Sequence, residues 1–371
     1  MNIFIAGGGR VGVHIAKLLS SEGQDVTIIE RDPAKVRRID EQLDVSTINA
    51  DGNSVITLHN HGVGAADLFV ACMGDDEVNL LAAATAKGLG AKKVIARADS
   101  TKYIDSTILY ETALGLDYAL SPDALSAVEI ANYIQNPGVL ASEDFGRGLI
   151  HMRQIHVTHT PTTGGKTLQD VVAPGSGVLV GVVEHKGAPR IAHGNTVIDT
   201  GDNLTLVGQR DKMPMMMELF RGAEFRPRSA AIMGGGTTGF RLAKALEGKL
   251  KQIKLFERRI EHAEALANEL KATEVLCSDA TSRSALEEEK IHLSDVFVAT
   301  TNDDERNIMA AVLAKELGVN TVVAVVQQPD FAPLVERLGI DLAITPRTCM
   351  ANRVLRLVHQ DTVTSLAVLA E

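Results

Sequence analysis

The 371-residue chain has no tryptophan, three cysteines and an aromatic share of only 4%. Cys72, Cys277 and Cys349 stand far apart with no C-x-x-C pair. Neither a disulfide framework nor a zinc site is expected, and a reducing cytosol fits best. With so little aromatic bulk, the cores must be built from Ala, Val, Leu and Ile, the composition of strands buried on both faces of a parallel sheet. No apolar run reaches 18 residues, because stretches such as Leu80 to Ala86 are cut by Lys87, so no membrane-spanning helix is expected. Met1 runs straight into an apolar strand pattern without a basic segment or cleavage site, unlike a signal peptide. Positive charge is also short. The 37 Lys and Arg against 47 Asp and Glu leave a net charge of -10, which disfavours nucleic acid as a partner.

What the chain does have is one pattern written twice. Asn2-Ile3-Phe4-Ile5-Ala6 leads into Gly7-Gly8-Gly9-Arg10-Val11-Gly12 and a helix with Ile15, Leu18 and Leu19 on one face. Ala230-Ala231-Ile232-Met233 leads into Gly234-Gly235-Gly236-Thr237-Thr238-Gly239 and a helix with Leu242 and Leu246, 227 residues later. Val26 to Glu30 matches Ile253 to Glu257, and each acid follows its last motif glycine by 18 residues. The offset then grows to 228: Asp51 and Gly52 match Asp279 and Ala280, Asp67 to Ala71 match Asp295 to Ala299, and Asp75-Asp76-Glu77 with Asn79 match Asp303-Asp304-Glu305 with Asn307. Both acidic triplets open helices. Fifth strands follow at Val94 to Ala96 and Val322 to Ala324. Sixth strands are expected at Tyr118 to Leu120 and Leu342 to Ile344. Ser121-Pro122 and Thr345-Pro346 then start helices, Ala124 to Ile134 and Cys349 to Val358, that leave the sheet and cross to a neighbour.

Short apolar strands alternating with amphipathic helices predict an α/β fold of two doubly wound, Rossmann-like parallel-sheet domains. Between them, from about Gly146 to Phe220, frequent Gly and Pro break short alternating strands at Gln154 to Val157, Val178 to Glu184 and Leu204 to Val207, a small α+β lobe. Asn203 falls in an expected turn. Met213, Met215, Met216 and Met217 lie on a helix, as core filling or as an adaptable contact surface. The expected domains are 1–135, first nucleotide domain with its crossover helix; 144–225, regulatory lobe; 229–345, second nucleotide domain; and 346–371, crossover helix and tail. Phe225 to Arg228 reads as the joint into the second copy.

Each G-x-G-x-x-G follows a strand, opens a helix and has an acid at the end of the next strand, the context of a dinucleotide site. The first glycine permits the turn, the second lets a diphosphate approach backbone N–H groups, and the third allows helix to pack on strand. Glu30 and Glu257 are positioned for ribose hydroxyls and repel a 2′-phosphate, favouring NAD, NADH or an adenine nucleotide over NADP. Asp51 and Asp279 suit an adenine or ribose contact, or N-cap the next helices. The fourth-strand ends, Met73-Gly74 and Thr301-Asn302, complete the expected cradles with Gly52 and Ala280. Arg97 ends the fifth strand where Val325 stands in the second copy. It reaches a phosphate or pairs with Asp99. The two sites are therefore expected to prefer different nucleotides, NAD or NADH with ATP or ADP at one of them, unless one copy has become a scaffold.

His59 with His61, and His151, His156 and His159, lack the Cys or carboxylate partners of a metal site. No H-E-x-x-H, G-x-S-x-G or P-loop occurs, and neither copy carries a substrate domain with a His or Lys base. An enzyme is not expected. The alternatives are an NAD-dependent oxidoreductase whose second half binds substrate, or a pure oligomeric scaffold.

The duplicated glycine loops, Glu30 and Glu257, Asp51 and Asp279, and the Asp-Glu-x-Asn helix starts resemble the TrkA type of potassium-uptake regulatory subunit, built from domains that regulate potassium conductance. The β-rich insert is similar to that family's small ligand-binding lobe. The family ends with a second such lobe, whereas this chain stops at Glu371, either as a natural short form or as a truncated chain. The resemblance implies a protein peripheral to the cytoplasmic face of the inner membrane. It also implies assembly with itself, as a dimer or tetramer ring, beneath a membrane potassium-translocating subunit that nucleotide binding would gate.

Overall fold

A computed structural model describes residues 1–104, 106–136, 139–145, 149–157, 167–173, 175–221 and 226–359. Gly146, His159, Phe225 of the expected joint and the tail 360–371 lie outside the described residues.

The first copy runs β1 (Asn2–Ala6), α1 (Arg10–Ser21), β2 (Asp25–Glu30), α2 (Pro33–Gln42), β3 (Ser46–Asn49), α3 (Val55–Asn60), β4 (Leu68–Ala71), α4 (Asp76–Leu89), β5 (Lys93–Arg97), α5 (Thr101–Ile104), α6 (Thr107–Leu114), β6 (Tyr118–Leu120) and α7 (Pro122–Gln135). Its six strands pair in parallel in the order β3-β2-β1-β4-β5-β6. All four residues of β4 are buried, as a strand covered on both faces requires. Phe69 and Leu58 are fully buried in one core with Val63, Val94 and the alanines of α4. Each such large apolar side chain stabilises the fold by about 1.5–3 kcal/mol. Strand order reverses between β1 and β4, which opens a crevice at the carboxyl ends of the strands.

The lobe contains β7 (Val139–Phe145), β8 (Ile150–His156), α8 (Leu168–Val171), β9 (Val178–His185), β10 (Ala188–Ile191), β11 (Asn203–Gln209) and α9 (Met213–Arg221). Its sheet is antiparallel in the order β10-β9-β11-β8-β7. Asn203 corrects the expected turn: it begins β11 opposite His156 and Glu184, and its side chain bonds both, at 2.9 Å and 3.3 Å. The turn lies just before it, at Gly201 with φ +98°. On the methionine helix Met213, Met216 and Met217 are buried in the lobe core, while Met215 is 79% exposed.

The second copy repeats the first: β12 (Ser229–Met233), α10 (Thr237–Leu246), β13 (Gln252–Glu257), α11 (Ile260–Glu269), β14 (Glu274–Cys277), α12 (Arg283–Glu288), β15 (Val296–Ala299), α13 (Asp304–Glu316), β16 (Thr321–Val325), α14 (Ala332–Arg337), β17 (Leu342–Ile344) and α15 (Pro346–His359). Its strand order is β14-β13-β12-β15-β16-β17. Met1–Ala131 and Pro227–Leu355 form one compact unit, so both parallel sheets belong to the same body. Asn132–Arg226 and the residues from Arg356 form the other. Within the first unit the copies touch directly, with Thr348 Oγ1 of α15 3.3 Å from His14 Nε2 of α1. Among the described residues no helix is long and apolar enough to cross a membrane.

Candidate functional site

Both glycine loops are built alike. Gly7 has φ +110° and Gly234 φ +104°, a left-handed turn that suits glycine. A Cβ on Gly12 would lie 2.0 Å from the Gly7 carbonyl oxygen, and one on Gly239 would lie 1.9 Å from that of Gly234. These two glycines are what lets helix meet strand. Gly8 donates its N–H to Glu30 Oε2 at 2.8 Å, and Gly235 donates to Glu257 Oε2 at 3.2 Å. Those amides are therefore engaged by the acids. Gly9 and Gly236 differ: a Cβ on either meets nothing within 4 Å, and each caps its helix in extended conformation. Their open faces border the clefts, where helix N–H groups and the helix dipole favour an anion.

The first cleft encloses about 560 Å³ and is bordered by Gly7, Gly9, Arg10 and Val11 of the loop, Glu30, Arg31 and Lys35 on the β2 side, and Asp51, Gly52, Met73, Gly74, Asp75 and Arg97 on the other strand ends. Gly8 and Gly12 shape the loop from beneath. Glu30 is only 7% exposed and also accepts from the Asp32 amide at 2.9 Å. Of the two roles expected of Arg97, the pairing is present, its guanidinium bonding Asp99 with Nε at 2.7 Å, and the side chain also lines the cleft. Buried Asn79 ties the strand ends together, accepting from the Met73 amide and donating to the carbonyls of Met73 and Arg97. Three further lining residues, Gln327, Pro346 and Arg347, come from the second copy.

The second cleft is smaller, about 240 Å³, and among the described residues its lining comes only from the second copy. Gly234, Gly235, Gly236, Glu257, Asp279, Ala280, Thr301 and Asn302 border it, joined by Arg258, Arg259 and Arg306. Arg306 bonds both oxygens of Asp279, at 2.8 Å and 2.9 Å. Burial raises the Asp279 pKa, but hydrogen bonds from Thr281 and Arg306 outweigh it, so the carboxyl sits below its ordinary value. Glu257 is likewise lowered on balance: burial raises it, and the amides of Arg259 and Gly235 with the nearby His262 and Arg259 more than offset that.

Thr237 and Thr238 do not border this cleft. Thr238 is buried, and its hydroxyl bonds the carboxyl of Asp123 from the first copy. The N-cap role weighed for the two aspartates is corrected as well. Ser54 and Ser282 occupy the cap positions, while Asp51 and Asp279 turn the chain before them by accepting from the Asn53 and Thr281 amides, each at 3.0 Å. Among the charged and amide lining residues, sequence reasoning missed Arg31, Lys35, Asp75, Asp123, Gln327 and Arg347 at the first cleft and Arg258, Arg259 and Arg306 at the second. Arg306 had a visible signal, since Val78 stands at the matching place.

The TrkA-N domain family matches residues 3–122 and 230–346, and the TrkA-C domain family matches residues 152–221. The Trk system potassium uptake protein TrkA homolog of Archaeoglobus fulgidus is 35% identical over 367 residues, covering 99% of this chain and 83% of that protein. Among solved structures, the GsuK channel superposes with a TM-score of 0.73 at 20% identity, covering 97% of this chain. This chain spans 64% of the channel's length. The GsuK channel bound to NAD gives a TM-score of 0.72 at 20% identity, with 97% and 64% covered. At that identity the likeness establishes the fold, while the sequence relatives and the three matched domains establish descent: the chain belongs to the TrkA family.

Proposed function

We propose that this chain is a regulatory subunit of a potassium-uptake system. In this reading it binds NAD or NADH, with ADP or ATP as the alternative at one of its two sites, and the first cleft is a nucleotide site. Binding gates a membrane potassium-translocating subunit by conformational change, without turnover of a substrate. The observation that carries the reading is the first cleft, where the open face of Gly9 at a helix start lies beside the buried carboxylate of Glu30. There the loop from Gly7 to Gly12, with Arg10 and Val11, would hold the diphosphate. Glu30 would take the ribose hydroxyls, and Asp51, Gly52, Met73 and Gly74 the adenine end. Arg97 adds positive charge beyond the loop.

The fit is steric as well as chemical. A volume of about 560 Å³ lies within the roughly 300–1,000 Å³ of ligand clefts, and about 240 Å³ lies below it. The second cleft, with Gly236, Glu257, Asp279, Ala280, Thr301 and Asn302, is the tighter of the two. Gating then follows from linkage: a nucleotide shifts the subunit between two shapes only by its differential affinity for them. The same reading makes the chain a homo-oligomer, peripheral to the cytoplasmic face of the inner membrane.

Calorimetric titration with NADH, NAD, NADPH, ATP and ADP tests it, repeated on Gly9→Asp and Gly236→Asp. Saturable binding that Gly9→Asp abolishes, with no product formed, is the expected result. Failure of all five nucleotides to bind the unmodified protein refutes the reading.

A further inference from the structure

The first cleft is not made by the first copy alone. Arg347, in the first turn of α15, reaches it from the second copy, beside Gln327 and Pro346. Gln327 is held there by its backbone, which donates to the Asp304 carboxylate at 2.7 Å. Arg347 is half-buried, and among the described residues its buried Nε has no hydrogen-bond partner. A buried donor left unmet costs about 1–3 kcal/mol, so this side chain is set for an acceptor. Burial, and next the like charge of Arg10, lower the Arg347 pKa, while Asp330 and Asp304 pull the other way. Arg10 of the glycine loop and Arg347 of the second copy thereby line one and the same cleft.

The duplicated sequence makes the asymmetry plain. Ser121-Pro122-Asp123 and Thr345-Pro346-Arg347 are matching helix starts, and both reach the first cleft, which Pro122, Asp123, Pro346 and Arg347 all line. The second copy sends a cation to the first cleft, whereas Asp123 of the first copy lines its own cleft and bonds Thr238 of the second copy. Among the described residues, none from the first copy borders the second cleft.

We propose that Arg347 is a specificity-determining residue of the first cleft that engages the terminal phosphate of a nucleoside diphosphate, so that occupancy of the first copy's site is read directly by the second copy. This rests on the reading that the first cleft takes a nucleotide. A terminal phosphate presents three free oxygens and more charge than the internal diester of a dinucleotide, and a guanidinium fork matches it. An anion between Arg10 and Arg347 also removes their mutual repulsion. Bound ligand therefore holds the two copies together in proportion to its terminal charge, and a nucleotide in the second cleft has no such handle.

The experiment is calorimetry with ADP, AMP and NAD on the Gly236→Asp protein, which silences the second cleft, with and without Arg347→Gln. Loss of one charge-assisted phosphate contact should weaken ADP about tenfold or more while changing AMP less than about threefold. Arg347→Lys, which keeps the charge and loses the fork, should fall between and serves if the glutamine variant does not fold cooperatively. Equal effects on ADP and AMP, or none on either, would overturn the assignment and leave nucleotide binding standing. Absence of binding by all three ligands before Arg347 is changed would overturn both.

Discussion

One guanidinium nitrogen of Arg306 lies within 2.9 Å of both carboxylate oxygens of Asp279, and the first copy has Val78 where the second has Arg306. The pair ties a cation across the second cleft, so Asp279 meets an arginine where the position matching Arg306 beside Asp51 holds Val78. Replacing Arg306 with Val should free the carboxylate and widen the cleft. On a Gly9→Asp background, calorimetry should then record a several-fold gain in adenine-nucleotide affinity. Folding stability should fall by less than about 1 kcal/mol, because both partners are substantially exposed. An unchanged affinity would mean that the ion pair does not limit access.

Asp123 carries a raised pKa, from burial first and then the like charge of Asp99, against the lowering effects of Arg97 and Thr238. For an acid whose folded pKa is raised, the associated stability is fully present below the ordinary value of 3.8 and is lost as pH rises through the folded value. At neutral pH the ionised carboxylate is therefore a cost. Asp123→Asn keeps an acceptor for Thr238 and removes the charge. Urea denaturation should show the variant more stable than the parent at pH 7, with the gap closing toward pH 3.5. A variant less stable at pH 7 would contradict the assigned burial cost.

Much of this arrangement was legible because its signals are local. The alternation of β4 and α4, the glycine loops and the acids Glu30 and Glu257 are set by short-range periodicity and turn chemistry, and each occurs twice. Asn203 was misread because Gly201 and Asp202 next to it favour a turn, while pairing of β11 with two strands fixes its conformation from a distance. Arg347 was legible only as a residue in a helix start. Its arrival at the first cleft depends on how two sheets pack together, and no periodicity within either copy encodes that. Thr238 went wrong for the same reason, since its loop position suited a ligand and its partner came from the other copy.

His14 reports on that packing through pH. Its pKa is lowered, by burial first and then by the positive charges of Arg347 and Lys17. A histidine depressed in the folded state contributes stability that is present above its ordinary 6.5 and is lost as pH falls through the folded value. Denaturation midpoints of the parent should drop between pH 7 and pH 5. His14→Gln, which retains a hydrogen-bonding group for Thr348, should flatten that part of the profile. A parallel drop in both proteins would assign the pH dependence elsewhere.

The cysteines should differ in reactivity by position. Burial pushes the Cys72 thiol up to about 12, with a smaller lowering effect from Arg97. Cys277 is exposed. Since the thiolate is the nucleophile, iodoacetamide at pH 8 should label Cys277 in the native protein and spare Cys72 until denaturant is added. Mass spectrometry of digested peptides reads this directly. Native labelling of Cys72 would show that the strand end beneath the glycine loop opens.

The loop glycines separate folding from binding. A methyl group on Gly12 would stand 2.0 Å from the Gly7 carbonyl oxygen, backbone against backbone, so helix α1 would have to move off β1. Gly12→Ala should therefore destabilise the fold by about 3 kcal/mol or more, near the upper end of single substitutions. Gly9→Ala meets no atom within 4 Å and keeps a φ of -79°, which any residue adopts. Its stability should stay within about 0.5 kcal/mol of the parent, the ordinary range for an unconstrained surface position. Gly9→Asp should fold as well and fail only when an anion is offered, because its carboxylate would stand where the helix N-terminus faces the cleft. Thermal unfolding of all three variants, followed by titration of those that fold, distinguishes a loop shaped for phosphate from one shaped only for packing: if Gly9→Asp binds nucleotide like the parent, the open face of this loop is not the binding surface.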